Sequence, residues 1–315
     1  MRYFPLSRLL LGDGPEDAGS QDQRSHQTAL RWGLFAAFHL ACLAVLWVGV
    51  STTALAVAAG LYVLRMGFIT AFYHRYFSHR AFRTSRAFQF VMAVAGCTAG
   101  QRGPLWWAGH HRRHHANADG PGDVHSPARA GFLQSHMGWF LAPENVTTPW
   151  RYVSDWRRYP ELVWLNRLEA LPMLALAGGL FGLGEALATW APGAGTSGAQ
   201  LLVWGFFVST VAVYHATYTI NSLAHSWGWR RFDTPDLSRN NAFLALLTLG
   251  EGWHNNHHYA PGSARQGFRW WELDITWLVL RGLAAAGLIW DLRPVPAGTG
   301  KPTDADVARH GEARQ

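Results

Sequence analysis

Four stretches of this 315-residue chain are apolar over roughly the ~20 residues that a helix needs to cross a hydrocarbon core: about 32–50, 53–73, 168–190 and 200–222. They pair into two hairpins, whose turns VGVSTT and TWAPGAGTSGAQ contain neither Lys nor Arg. Arginine gathers elsewhere. Arg75, Arg80, Arg83, Arg102, Arg112, Arg113 and Arg158 fall between the hairpins, and Arg230, Arg231, Arg265 and Arg269 follow the last span. The positive-inside bias therefore assigns both termini and both long polar regions, 74–167 and 223–293, to the cytoplasmic side, with a bacterial inner membrane as the expected setting. Two crossings separate these regions, so they emerge on one face and can assemble into one cap. The expected fold is an all-α integral membrane protein: four transmembrane helices in two hairpins under a cytosolic helical cap.

Inside that cap, 88–108 and 272–290 are apolar but interrupted, the first by Arg102, Gly103 and Pro104, the second by Asp274 and Arg281. They read as interfacial helices with tryptophans at headgroup level. Residues 1–29 lack the apolar core of a signal peptide and read as an N-terminal cytosolic leader. Residues 30–293 form one membrane domain, and 294–315 a disordered tail. Arg65 sits nine residues before His74 and is expected to snorkel towards the interface.

Composition agrees with a membrane location, at 49% hydrophobic and 15% charged residues. The net charge of +7 does not point to nucleic acid, because the arginines are interleaved with membrane-length segments. Anionic headgroups or a phosphate-bearing substrate suit them better. Cys42 and Cys97 lie in apolar runs and read as small buried hydrophobes.

The histidines are clustered. HRYFSH supplies His74 and His79, HRRHH supplies His111, His114 and His115, and HNNHH supplies His254, His257 and His258. On a helix, positions i, i+3 and i+4 share a face, so each HxxHH presents three imidazoles together. His110 precedes His111, which leaves a second register, HxxxHH, open. His74 and His79 lie about 140° apart on an ideal α-helix and must flank the cluster or straddle a helix end. Imidazole suits Fe, Zn, Cu and Ni, and eight such ligands exceed what one ion uses, so two metals are expected. His26, His39 and His310 are isolated; His39 reads as a hydrogen-bonded structural residue.

At these residues the chain resembles the membrane-bound fatty acid desaturases, specifically their Δ9 acyl-CoA branch. The similarity is carried by HRYFSHRAF, HRRHHANADGPGDVHSP, SHMGW, NSLAHSWG and GEGWHNNHH, from about Gly67 to Trp290. The resemblance implies two Fe ions held by nine histidines: His74, His79, His111, His114, His115, His225, His254, His257 and His258. It puts Asn221 on one iron through water, and it chooses His111 over His110. Asn221 and His225, at i and i+4, would share one face at the cytosolic end of the fourth span. The animal enzymes have an Arg-Asp pair for the CoA end where this chain has Gly109-His110. That leaves His110, Arg157 and Arg158 as head-group candidates. His125 and His136 are given structural roles.

Removing hydrogen from two unactivated CH2 groups is beyond any side-chain acid or base, so iron and O2 must supply the oxidising power. The expected reaction places a cis double bond, at Δ9, in a saturated chain carried by CoA or, second, by a lipid or carrier protein. Asp119, Asp123 and Glu251 are candidates to orient ligand rings through their other N–H. Arg112 and Arg113 stay protonated and are expected to face phosphate or water. Electrons are expected from a separate ferredoxin or cytochrome with its reductase, docked on the basic cap. An alkyl or carotenoid hydroxylase or ketolase is the nearest rival. A His-rich metal transporter is a rival of another class, disfavoured because the spans are almost uncharged apart from Arg65 and His39.

Overall fold

The computed structural model describes residues 21–299, and four of its helices are long and apolar enough to cross a membrane: Thr28–Val48, Thr52–Ser78, Ala170–Trp190 and Gly198–His225. The first is the membrane-length part of a helix that spans Gln21–Ala41 and continues through short turns to Val48; residues 1–20, most of the expected leader, and 300–315, most of the expected tail, lie outside the described residues. The hairpins are as expected, but the second and fourth spans run further into the cap than hydropathy indicates. Their last turns carry His74 and His225, which no apolar count would include.

The spans divide into lipid-facing and site-facing pairs. None of the first span's apolar window is buried, against 56% of the fourth's. Leu40, Leu46 and Trp47 on the first span and Leu171, Leu174 and Trp190 on the third are exposed, as a hydrocarbon surrounding requires. The second and fourth spans face inward and carry the polar residues that reach the cap.

The expected interfacial helix 88–108 is two elements. One helix covers Arg86–Cys97, the chain breaks across 98–103, and a second helix runs Pro104–Asn117. The break lets the second helix start where its free amides can be satisfied. Pro104 stands at its first turn, and Asn166 Oδ1, from the helix Pro160–Arg167, accepts from Leu105 N (3.1 Å) and Trp106 N (2.9 Å). Gly96 lets the first helix press on the second span, since a Cβ there would fall 2.2 Å from the Tyr73 ring. Trp106 and Trp107 thus belong to the histidine helix.

The remaining cap elements are short: Ala242–Leu247, His254–Tyr259 and Ile275–Ala285, with one antiparallel pair of two-residue strands, Arg83–Thr84 and Ile289–Trp290. The larger core lies where the cap meets the second span, around Tyr73, Phe77, Phe82, Leu105 and Trp156.

Arg65 does not snorkel. It is 1% exposed, and its guanidinium donates to Leu61 O (3.2 Å), Thr98 O (3.3 Å), Thr210 Oγ1 (2.7 Å) and Ser209 Oγ. It thereby ties the second span to the fourth and to the break after Cys97. Arg65→Met strands these acceptors, each costing about 1–3 kcal/mol when buried and unpaired. The variant is expected to melt several degrees below the wild type in detergent, as read by the loss of its monodisperse gel-filtration peak on heating.

Candidate metal centre

His74 and His79 come together because the end of the second span is not α-helical. Ile69–Ser78 forms a π-helix, and His79 N donates to His74 O (3.2 Å), five residues back. In that geometry i and i+5 stack one turn apart, so two rings that α spacing would splay lie with centroids 4.9 Å apart.

The turn is capped from the second histidine box. Arg112 donates to Ser78 O (2.6 Å), Phe77 O (2.7 Å), Tyr152 O (2.9 Å) and Asp155 Oδ1 (2.9 Å), consuming carbonyls that a helix C-terminus leaves free. It is therefore a clamp and not a solvent-facing cation. The third box is fixed just as closely. Asn255 Oδ1 accepts from Arg231 N and Phe232 N (both 2.7 Å), while Asn256 Nδ2 donates to Gln266 O (2.9 Å) and Glu272 Oε2 (3.0 Å). Gly252 permits close packing beneath it, because a Cβ would sit 2.0 Å from Ala245 N.

Nine histidines converge into two clusters whose ligand nitrogens each lie within 4.8 Å of one another. His74, His79, His111, His115 and His257 form one; His114, His225, His254 and His258 form the other. Each HxxHH box is thus split between the clusters: His111 and His115 go to the first and His114 to the second, His257 to the first and His254 and His258 to the second. His114 and His115 are neighbours in sequence, so the centres are neighbours in space.

The chemistry of the donors tests whether a metal fits. His225 Nδ1 donates to Asp119 (2.8 Å), His258 Nδ1 to Asp236 (3.0 Å) and His114 Nδ1 to Asp123 (3.0 Å), which leaves Nε2 of each ring as the atom to offer an ion. Yet His225 Nε2 and His258 Nε2 both face His254 Nε2, at 3.0 and 3.1 Å, and His114 Nε2 is buried with no partner. His254 has one proton to give, so these nitrogens need a cation. In the other cluster Nε2 pairs lie 2.8–3.0 Å apart: His79–His111, His111–His115, His115–His257 and His74–His257. Two imidazole nitrogens each about 2.1 Å from one ion, at right angles, would be about 3.0 Å apart. The residues fit two metal ions.

Electrostatics agree. Burial, reinforced by neighbouring imidazoles, holds His111, His115, His254 and His257 well below the usual histidine value. Burial takes His258 down to about 4 against the opposing pull of Asp236. Burial opposes ionisation of Asp119 too, but the His225 hydrogen bond and charge win and bring it to about 2. Glu251 accepts from His74 Nδ1 and from Arg75 Nη2 (3.1 Å), and the buried Arg75 also pairs with Asp274 (2.9 Å). Asp236 and Gln266 lie outside the histidine boxes and escaped sequence reading, and the pairing of Arg75 with Glu251 and Asp274 joins positions about 180–200 residues apart that no local spacing relates.

A cavity of about 460 Å³, open to solvent, meets both clusters. Met66, Ile69 and Ile220 make it apolar, and Asn221 lines it beside His74, His111, His114 and His254. Trp107 forms a wall, its indole stacked on His111 at 5.1 Å and 22° and held through Nε1 by Gln101 Oε1 (3.2 Å); Gln101 in turn donates to Thr217 Oγ1 (2.9 Å).

The head-group candidates part company. His110 is 2% exposed, wedged between Trp106 and Trp139 with Nε2 at 3.3 Å from Thr147 O, and burial lowers its pKa to about 3; it has no face for a head group. Arg157 and Arg158 are exposed, lying over the rings of Trp150 and Tyr159. His125 stacks on His114 at 4.3 Å. His39 Nε2 meets His215 Nε2 (2.9 Å), and His215 Nδ1 meets His136 Nε2 (3.0 Å), so His39 and His136 belong to a hydrogen-bonded chain away from the clusters.

The profile described as "Fatty acid desaturase" matches residues 50–292. The chain belongs to this family. It is 36% identical over 246 residues to an sn-1 stearoyl-lipid 9-desaturase of Anabaena variabilis, covering 77% of this chain and 85% of the relative. It is 39% identical over 245 residues to the palmitoyl-monogalactosyldiacylglycerol delta-7 desaturase of Arabidopsis thaliana (76% and 62%) and 37% identical over 229 residues to the icosanoyl-CoA 5-desaturase of Limnanthes douglasii (71% and 60%). The chain spans about three fifths of the length of the Arabidopsis thaliana and Limnanthes douglasii relatives. These names mix lipid-linked and CoA-linked chains, so family membership does not select the acyl-CoA branch.

Two outcomes follow for purified protein reconstituted with metal. His111→Ala is expected to reduce bound metal from about two ions per chain towards one by elemental analysis, whereas His110→Ala keeps both and only melts earlier. Asp236→Ala frees the His258 ring and should weaken metal affinity about 10–100-fold in a chelator competition.

Proposed function

We propose that the protein is an O2-dependent fatty acyl desaturase that introduces a cis double bond at Δ9 of a saturated chain, with iron in both histidine clusters. The observation that carries this reading is an apolar cavity walled by both clusters at once. Iron, when bound, supplies with O2 and two electrons the oxidising power that C–H cleavage at unactivated carbon demands.

The chain's own residues do the rest. Met66, Ile69 and Ile220 offer the acyl methylenes an apolar slot. Trp107 is locked by Gln101 and Thr217, so it gives that slot a rigid wall next to His111. Such rigidity matters because a displacement of about 1 Å can cost roughly 100-fold in rate. Asn221, between the clusters, suits a water-mediated contact to one ion.

For the carrier we favour a membrane lipid. The Anabaena variabilis relative, covered over 85% of its length, acts by its name on a stearoyl-lipid, and burial removes His110 as a CoA contact. Acyl-CoA is the second reading, favoured by the exposed Arg157–Arg158 pair. Electrons would reach the centre from a separate donor protein on the exposed basic face of the cap.

Expression in a host lacking the activity, with iron and a competent donor, is expected to yield chains two mass units lighter with the double bond at C9. The His111→Ala variant and iron-chelated membranes should yield none. Label appearing first in lipid-bound chains supports the lipid carrier; label appearing first in acyl-CoA supports the second reading. A gain of one oxygen, or metal flux without change in the lipids, would sink the proposal.

A further inference from the structure

The two clusters differ in what stands behind their rings. In the four-histidine cluster, three rings give their Nδ1–H to three different carboxylates, Asp119, Asp123 and Asp236. The other hydrogen bonds to these carboxylates come from neutral groups: Ser126 Oγ and Leu237 N for Asp119, Asp119 N and His125 N for Asp123, Ser238 N and Thr234 Oγ1 for Asp236. Among the described residues no Arg or Lys forms an ion pair with any of the three.

The five-histidine cluster is built differently. One carboxylate, Glu251, stands behind His74, and Arg75 shares it with Asp274. The Gln266 side-chain amide, a neutral group, lies 3.4 Å from both His74 Nδ1 and His257 Nδ1. The Arg112 guanidinium lies against the carbonyls of Phe77 and Ser78, next to His79. Three formal negative charges therefore back four rings, while the charges of Glu251, Asp274, Arg75 and Arg112 cancel behind five. The fifth imidazole adds a donor but no charge. In a buried site the charge difference bears directly on which oxidation state is favoured, because a carboxylate behind an imidazole raises its basicity and attracts the higher-charged ion more than the lower.

We infer that Asp119, Asp123 and Asp236 make the two metal positions unequal, so that the position at His114, His225, His254 and His258 loses its electron first. This rests on the reading that both clusters hold iron, and the test separates the two. The full-length protein in nanodiscs, loaded anaerobically with iron-57 as Fe(II), is oxidised stepwise with ferricyanide, each step moving one electron from one iron to the oxidant. Mössbauer and electron paramagnetic resonance spectra follow the two irons.

Two separate one-electron steps are expected. Asp236→Asn keeps an acceptor for His258 Nδ1–H but deletes the charge, and should shift the first step to higher potential while the second stays near its place. Glu251→Gln should shift the second. Should Asp236→Asn fail to fold, Asp123→Asn makes the same test at His114. The inference is overturned if both irons oxidise together, or if the aspartate variant moves the second step or neither. Fewer than two irons per chain would instead overturn the di-iron reading on which it rests.

Discussion

Nine imidazoles whose ring nitrogens point at one another cannot hold that arrangement unaided, and much of the cap is what keeps them there. Three aspartates and one glutamate fix the proton on the far side of four rings, so the near side has nothing to offer but lone pairs. Folding and metal binding are therefore linked: ions that occupy the folded clusters and find no such clusters in the unfolded chain add their binding energy to stability. The arrangement also explains the low proton affinity of His111, His115, His254 and His257. A buried site already crowded with imidazoles resists a further positive charge spread over protons, yet accepts one concentrated on an ion that several lone pairs share.

Much of this was legible beforehand. Four apolar stretches, arginine asymmetry and three boxes led to two hairpins, a cap and two metals, because hydropathy and i, i+3, i+4 spacing are local properties. Local spacing was less complete for the first box, where His74 and His79 straddle a helix end as one of its two readings had it. An α-helical wheel separates His74 from His79, and only the i→i+5 hydrogen bonding at the end of the second span reunites them. Nor could spacing tell which ring of a box joins which cluster, since that depends on how the helices Pro104–Asn117 and His254–Tyr259 face each other across the site.

The residues that escaped reading are those whose roles depend on distant partners. Asp236 lies in a turn 22 positions before His258, with no pattern to betray it. Arg65 looked like a snorkelling side chain because its depth was readable and its acceptors, on the fourth span and beyond Cys97, were not. His110 read as a head-group candidate inside a basic run, but Trp106 and Trp139 enclose it. Burial is a property of the neighbours, and the neighbours come from elsewhere in the chain.

In the formula HxxHH the two middle letters are wildcards. Here they are the other side of the part. Arg112 closes the end of the helix that carries His74, and Asn255 and Asn256 spend both their oxygens and their amide hydrogens on backbone and side chains around 231–240 and 266–272. Each box is thus a rivet with two heads, one gripping an ion and the other gripping the protein. A search that scores only the histidines keeps the head that any metal chelator could imitate and discards the one that makes the motif belong to this fold.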